Sequence, residues 1–355
     1  YYQALYTQSQ TQFGTYVQAG TVLNNYAHIF DILIRLRQAV DHPYLITNST
    51  RNIVASGQSS SSGSSRKEKK ETDDGLCAIC HEEYDVLDSV KATCGHSYCR
   101  DCIHEYVNAT TEGPIEEDDN GNPKKTTTKC PAKKNDKGDI CGKPLNISML
   151  PEIASSDNLS VWDESKRRRK SILDTIDKSS FQTSTKMEAL MEELSKMMRS
   201  DLGAKAIVFS QFVNMLDLIE YRIQIGGIKC VKLQGSMNID QRDAVIKEFN
   251  ENHECKVLLI SLKAGGVALN LTVANYIYIM DPWWNPAAEM QAIDRTHRIG
   301  QHKPIFATRF IIQDTIEERI LQLQNKKKLV FDGTVGGDAG SMAKLTADDM
   351  AFLFQ

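Results

Sequence analysis

Between Cys77 and Cys141 the chain reads Cys77-x2-Cys80, thirteen residues, Cys94-x-His96-x2-Cys99-x2-Cys102, twenty-seven residues, then Cys130 and Cys141 with ten residues between them. Seven of the nine cysteines fall in this window. Thiolates and an imidazole at such spacings are metal donors, and eight of them make two tetrahedral zinc sites. A segment of this size has too little apolar surface to hold its own fold. Metal binding supplies the difference, roughly 10 to 16 kcal/mol in small fingers. Cys230 and Cys255 stand in apolar surroundings as inert core thiols, so no disulfide framework is expected.

The order of these donors resembles the RING finger, whose ligands interleave. The resemblance implies that Cys77, Cys80, Cys99 and Cys102 hold one zinc ion while Cys94, His96, Cys130 and Cys141 hold the other. This chain departs from the family in its last pair, normally C-x2-C, where a ten-residue spacer begins at Pro131. RING fingers resemble the docking platforms of ubiquitin ligases. A residue beside the first ligand pair and a proline in the last pair there form an apolar patch for the ubiquitin-conjugating enzyme. Ile79 and Pro131 occupy those positions. A RING that only binds partners is the other reading.

Around the cluster the composition changes. Residues Ser56 to Asp74 are Ser/Gly-rich and then alternate Lys and Glu, too polar to offset the entropy of ordering, and read as a flexible linker. The acidic and Thr/Lys-rich stretch from Asn108 to Lys129 reads as a disordered loop, and Ser155 to Ser180 as a charged connector. Lys166 to Lys170 in that connector reads as a nuclear import signal, a DNA contact or simply a solvated run. Upstream, Ile29, Leu33, Leu36 and Val40 recur at helical spacing, and one long helix is expected over Asn24 to Ile46, with the pattern stopping at Asp41-His42-Pro43.

Beyond Lys186, apolar runs alternate with helical patterns. Strands are expected at 206–209, 230–233, 257–260, 276–280 and 306–312, with helices at 212–224, 240–250, 286–299 and 315–327. Continuous apolar strands separated by helices predict an α/β fold, a doubly wound parallel sheet covered on both faces. At 355 residues the chain has room for two or three domains, and its net charge of −4 gives no global basic field. Any nucleic-acid contact must then be a local patch. No apolar run reaches the ~18 residues that span a bilayer, so no membrane partner is expected. Lacking an initiator Met and opening with helical character, the chain reads as a segment of a longer polypeptide.

Five motifs carry the chemistry of this half: Lys205-Ala-Ile-Val-Phe-Ser-Gln-Phe212, Leu233-Gln-Gly-Ser-Met237, Ser261-Leu-Lys-Ala-Gly-Gly-Val-Ala-Leu-Asn-Leu271, Asp281-Pro-Trp-Trp-Asn-Pro286, and Gln291-Ala-Ile-Asp-Arg-Thr-His-Arg-Ile-Gly-Gln301. On the last, Gln291, Asp294, Arg295 and Arg298 stand at i, i+3, i+4 and i+7, one helix face. Gly265 and Gly266 allow close backbone approach to a phosphate at a helix start. Together the motifs resemble the second RecA-like lobe of Swi/Snf-type ATPases, a branch of the superfamily-two helicases, and Arg35 to Pro43 resembles the segment that precedes that lobe. An embedded RING narrows the resemblance to the DNA-repair branch, including fungal nucleotide-excision-repair translocases.

That resemblance implies a set of roles. Arg295 and Arg298 act as arginine fingers, Gln291 orients the nucleotide and Asp294 holds the arginines. Ser261, Lys263, Gly265 and Gly266 couple DNA backbone to ATP, and Gln234, Gly235 and Ser236 contact the tracked strand. Trp283 and Trp284 read as packing anchors rather than base-stacking platforms. The implied cofactors are two zinc ions, with ATP and magnesium in the complete enzyme. The implied partners are double-stranded DNA, a ubiquitin-conjugating enzyme, repair-complex subunits and a first ATPase lobe, since no G-x-x-x-x-G-K-[ST] phosphate loop occurs in this chain. The expected organisation is a helical ATPase-core segment (1–46), a linker (47–75), a RING (76–150), a connector (151–185) and a RecA-like lobe (186–355). The expected activity is that of a nuclear, ATP-dependent DNA translocase and ubiquitin ligase in DNA repair. A remodeller whose RING is only a binding module and a noncatalytic scaffold are the alternatives.

Overall fold

Pro43 sets the first boundary. It has no N–H to continue a helix and disfavours helical geometry at the residue before it. The computed structural model describes residues 1–22, 25–48, 76–80, 89–110, 128–132, 140–145, 171–235, 237, 239–262, 271–294, 296, 301–333 and 345–355. After α1 (Tyr2–Gln18), α2 (Tyr26–Asp41) ends just short of the proline and a separate single turn, α3 (Tyr44–Thr47), follows it. The single helix expected over 24–46 is therefore two. Ile29, Leu33 and Leu36 are buried as their spacing required, but so are Phe30, Ile32 and Ile34. Burial is therefore not confined to one stripe of the helix, and it takes in the charged Asp31, Arg37 and Asp41 as well.

The described residues divide into two compact units. One contains α1 beyond Tyr2, α2 up to Ile34, the Cys/His region and the final helix; the other contains Tyr1, Tyr2, the rest of α2, α3 and residues 171–333. The expected segment 1–46 is thus shared between them.

In the Cys/His unit a short antiparallel pair, β1 (Ser89–Lys91) and β2 (Ser97–Cys99), leads into α4 (Arg100–Thr110). In the other unit, residues expected to belong to a charged connector are built into structure. Two 3₁₀ turns, Ile172–Asp174 and Lys178–Ser180, precede α5 (Thr185–Ser200), with Ser171 and Asp174 forming a capping box on the first. Buried Ile172 and the edge-on contact of Phe181 with Tyr221 hold this stretch. The linker before Cys77 and the basic run Lys166 to Lys170 lie outside the described residues.

The sheet follows as β3 (Ala206–Ser210), α6 (Val213–Ile225), β4 (Lys229–Leu233), α7 (Ile239–Glu251), β5 (Cys255–Ser261), β6 (Tyr276–Ile279), α8 (Pro286–Asp294), β7 (Phe306–Arg309) and α9 (Ile316–Gly333), with α10 (Ala347–Leu353) last. All pairings are parallel, in the order β4-β5-β3-β6-β7. Every residue of central β3 is buried, which requires cover on both faces and explains why its sequence does not alternate. One core layer gathers Ile207, Phe209, Leu258, Ile260, Ile277 and Ile279 against Phe249, Leu271 and Ala292. Cys255 is buried there too and Cys230 is half-buried, as inert core thiols would be. α10 belongs to the Cys/His unit, where Phe354 stacks on Phe13 at 4.5 Å and Gln10 Nε2 donates to the Phe354 carbonyl. Among the described residues no helix is long and apolar enough to cross a membrane.

Candidate functional site

The eight sequence-derived donors come together in two groups. Cys77, Cys80, Cys99 and Cys102 form one, and Cys94, His96, Cys130 and Cys141 the other, with the ligand atoms in each group within 4.8 Å of one another. Zinc–sulfur bonds of about 2.3 Å in a tetrahedron put neighbouring sulfurs about 3.8 Å apart. Cys80 and Cys99 Sγ are 3.9 Å apart; Cys94 and Cys130 Sγ are 3.5 Å apart, with His96 Nδ1 3.3 Å and 3.6 Å from them. These separations are far beyond a disulfide bond and fit zinc.

Local backbone geometry delivers the donors. The turn carrying Cys94 and His96 closes with Gly95 N–H donating to Ala92 O and Ala92 N–H to His96 O, at φ +95° for Gly95. Only glycine takes that conformation without strain. The ten-residue spacer of the last pair closes through its flanks. Cys130 N–H donates to Lys143 O, Gly142 N–H to Cys130 O, Cys141 N–H to Ala132 O and Leu145 N–H to Thr128 O. This small antiparallel ladder brings Cys141 beside Cys130 regardless of the spacer's length. Of the two residues expected to dock a conjugating enzyme, Ile79 is 3% exposed and Pro131 is buried, so neither presents its side chain to solvent. Ile140, next to Cys141, is 53% exposed.

In the sheet unit the parallel order puts all carboxyl ends on one edge, where open α/β sheets bind ligands. Ser210 pairs with Ser261 and Leu233 with Ile260, so the motif residues that follow these strands leave the sheet at one level. Ser261 is buried at the end of β5, and Gly235 is buried with its carbonyl accepting from Arg242 Nη2 at 2.7 Å. Gln234 is half-buried, while Gln291 and Asp294 are exposed on α8. Ser236, Lys263, Gly265, Gly266, Arg295 and Arg298 lie outside the described residues.

A buried ionic cluster that sequence reading did not assemble sits behind this edge. Arg37 Nη2 is 3.4 Å from Asp281 Oδ2 and donates to Pro282 O at 2.7 Å; the same Asp281 oxygen accepts from Gln211 N–H at 2.9 Å. The guanidinium carbon lies 4.9 Å from the Trp283 ring centroid, 5.6 Å from Trp284 and 5.2 Å from Phe212. Arg37 thus ties the loops after β3 and β6 to α2. Trp284 is fully buried, a packing anchor that no base can reach. Lys186 Nζ bridges Asp41, Glu317 and the Met280 carbonyl. Burial pushes the Asp281, Asp41 and Glu317 carboxyls up, Glu317 to about 7, against the pull of the cations. Burial opposes the charge on Lys186 too, but Asp41 and Glu317 prevail and hold it up. On α8, buried Glu289 accepts from Trp283 N–H and Gln324 Nε2 and pairs with Arg309, fixing that helix to α9 and β7. The available signal was Arg37 and Asp41, one turn apart on a helix whose apolar residues are buried around them.

Two stretches of the chain match known domain families. Residues 77–131 match the RING-type zinc-finger family, and residues 185–300 match the helicase conserved C-terminal domain. The chain therefore carries a helicase C-terminal domain and a RING-type zinc finger, a pairing consistent with a RING-containing, Swi/Snf-type helicase. It is 40% identical to the ATP-dependent helicase rhp16 of Schizosaccharomyces pombe, covering 99% of this chain and 36% of that protein. It is 33% identical to the DNA repair protein RAD5 of Cryptococcus neoformans var. neoformans serotype D, covering 93% and 30%, and 34% identical to the DNA repair protein RAD5B of Arabidopsis thaliana, covering 99% and 26%. The chain spans about a third of the length of these relatives.

Proposed function

We propose that the chain is the C-terminal part of an ATP-dependent translocase that moves on double-stranded DNA in DNA repair, in the nucleus, and that its RING transfers ubiquitin. The observation that carries this reading is the presence of both in one chain, the eight Cys/His donors gathered in two groups and the match of residues 185–300 to the helicase conserved C-terminal domain. Names of the relatives, an ATP-dependent helicase and two DNA repair proteins, support it.

In this reading Arg295 and Arg298 reach an ATP–magnesium complex held by a first lobe that carries the phosphate loop, with Gln291 and Asp294 beside them. Residues Gln234, Gly235, Ser236, Ser261, Lys263, Gly265 and Gly266 meet the DNA backbone and report it to the nucleotide. Arginine fingers are worth about 10³ to 10⁵ in rate where the phosphate cradle is complete. The 355-residue chain alone should neither hydrolyse ATP appreciably nor translocate, because it has no phosphate loop. The polypeptide containing both lobes should hydrolyse ATP with stimulation by duplex DNA, and Arg295→Ala should remove that activity while DNA binding persists. Duplex-stimulated hydrolysis by the 355-residue chain alone, or full activity of Arg295→Ala, overturns the assignment.

Ubiquitin transfer is tested apart from the motor. A charged conjugating enzyme should discharge faster with the chain present, and Ile79→Ala should abolish the gain. Ile79 and Pro131 are buried, so an enzyme can dock on them only once that face is uncovered. Discharge at the same rate with and without the chain sinks the ligase reading and leaves the RING as a binding module.

A further inference from the structure

Tyr98 lies between two donors on β2, with His96 of the second group two residues before it and Cys99 of the first group directly after it. Its side chain is completely buried, and a buried phenol needs a hydrogen-bond partner. The hydroxyl finds one 2.9 Å away in Cys130 Sγ, a donor atom of the second group that arrives from a different segment of the chain. A sulfur bound to zinc is a thiolate and carries no hydrogen. The bond then has one possible sense, O–H toward sulfur.

The same stretch is gripped from α4, where Tyr106 donates through its hydroxyl to the carbonyl of Lys129, one residue before Cys130. The two tyrosines differ in what they touch. Tyr106 meets backbone, while Tyr98 meets the donor atom itself. The other cysteine group receives a contact of a different kind, Cys99 N–H donating to Cys77 Sγ at 3.3 Å from the backbone, which no side-chain substitution removes.

We propose that the Tyr98 hydroxyl donates to the Cys130 thiolate and thereby strengthens the hold of the Cys94, His96, Cys130 and Cys141 group on its ion, without acting on the other group. The inference rests on the reading of both groups as zinc sites. By drawing charge from one sulfur and fixing its position, such a donor to a metal ligand is worth about 10- to 100-fold in metal affinity. Tyr98 is a positioning residue here: it touches the ligand and not the metal.

The test begins with the zinc content of the whole chain by elemental analysis. Fewer than two ions per chain refutes the reading of the sites; two ions per chain make the next steps a test of Tyr98 alone. Tyr98→Phe keeps the ring and removes only the hydroxyl. Followed with a chromogenic chelator, one of its two ions should leave about 10- to 100-fold faster than in the wild type and the other at the wild-type rate. With cadmium-113 in place of zinc, the resonance of the three-sulfur, one-nitrogen site should move in Tyr98→Phe while that of the four-sulfur site stays. Tyr106→Phe should move neither resonance comparably, which separates a bond to sulfur from loosened packing. If Tyr98→Phe does not load metal, the cadmium-loaded wild type still decides, since its slowly exchanging Tyr98 hydroxyl proton should couple to the cadmium of the three-sulfur site. Wild-type release of both ions from Tyr98→Phe, an unmoved resonance, or no such coupling overturns the proposal.

Discussion

Lys186 Nζ stands 2.7 Å from Asp41 Oδ1, with both side chains buried, and joins two points 145 residues apart in the chain. The interval they close contains the zinc region. Neighbouring contacts repeat the closure: His42 Nε2 bonds the Gln182 carbonyl at 3.0 Å and the Tyr44 hydroxyl accepts from Gln182 N–H at 3.2 Å. The sheet unit thus holds both flanks of this interval together through its own residues. Removing one partner of a buried pair leaves an uncompensated charge, at a cost of about 3 to 5 kcal/mol. Lys186→Met should therefore destabilise the sheet unit by about that amount, read by denaturant titration of tryptophan fluorescence. Unchanged stability would show that the cluster does not hold the unit together.

Glu317 makes the same cluster sensitive to pH. Burial lifts its carboxyl to about 7, with Lys186 pulling the other way. Since the folded value exceeds the ordinary 4.5, the folded state keeps a proton that the unfolded chain has released. The stability this adds is complete below about pH 4.5 and is lost as pH rises through about 7. Glu317→Gln should flatten the fall in melting temperature between pH 5 and pH 8; a parallel curve for the variant contradicts the assignment.

His42 works in the opposite direction. Its Nδ1 accepts from Tyr44 N–H, so Nε2 carries the proton that bonds Gln182 O, and the ring is neutral. Burial holds its pKa below the ordinary 6.5, ahead of the opposing bond to Gln182. Its contribution is present above pH 6.5 and is lost as pH falls through the lowered folded value. His42→Asn should lose stability near neutral pH and show a shallower acid limb than the wild type in the same melting series.

The last ligand pair yields a metal prediction. Cys141→Ser should reduce bound zinc from two ions per chain to one, with Cys77, Cys80, Cys99 and Cys102 retaining theirs. Elemental analysis after gel filtration reads the outcome directly. Two retained ions would remove Cys141 from the ligand set.

The five strands and four of their helices were legible in the sequence because short apolar runs and amphipathic helices are local patterns, spelled out within a dozen residues. Where local signals met a long-range partner, reading failed or fell short. Residues 171–184 looked like a solvated connector, yet Ile172 and Phe181 find their cover on the sheet unit. The lobe was expected to run to residue 355, yet the last helix belongs to the Cys/His unit, where Phe354 stacks on Phe13. Ile79 and Pro131 read as a surface and are buried.

The sequence by itself determined the eight zinc donors and the order of strands and helices, since ligand chemistry, turn glycines and hydrophobic periodicity act over short spans. Only the tertiary structure decided how a ten-residue spacer still delivers Cys141, which carbonyl fixes His42, and that Arg37, Asp41, Lys186, Asp281 and Glu317 share one interior. A buried charge is stable only beside a partner, and nothing in the chain near Asp41 announces that its partner lies 145 residues away.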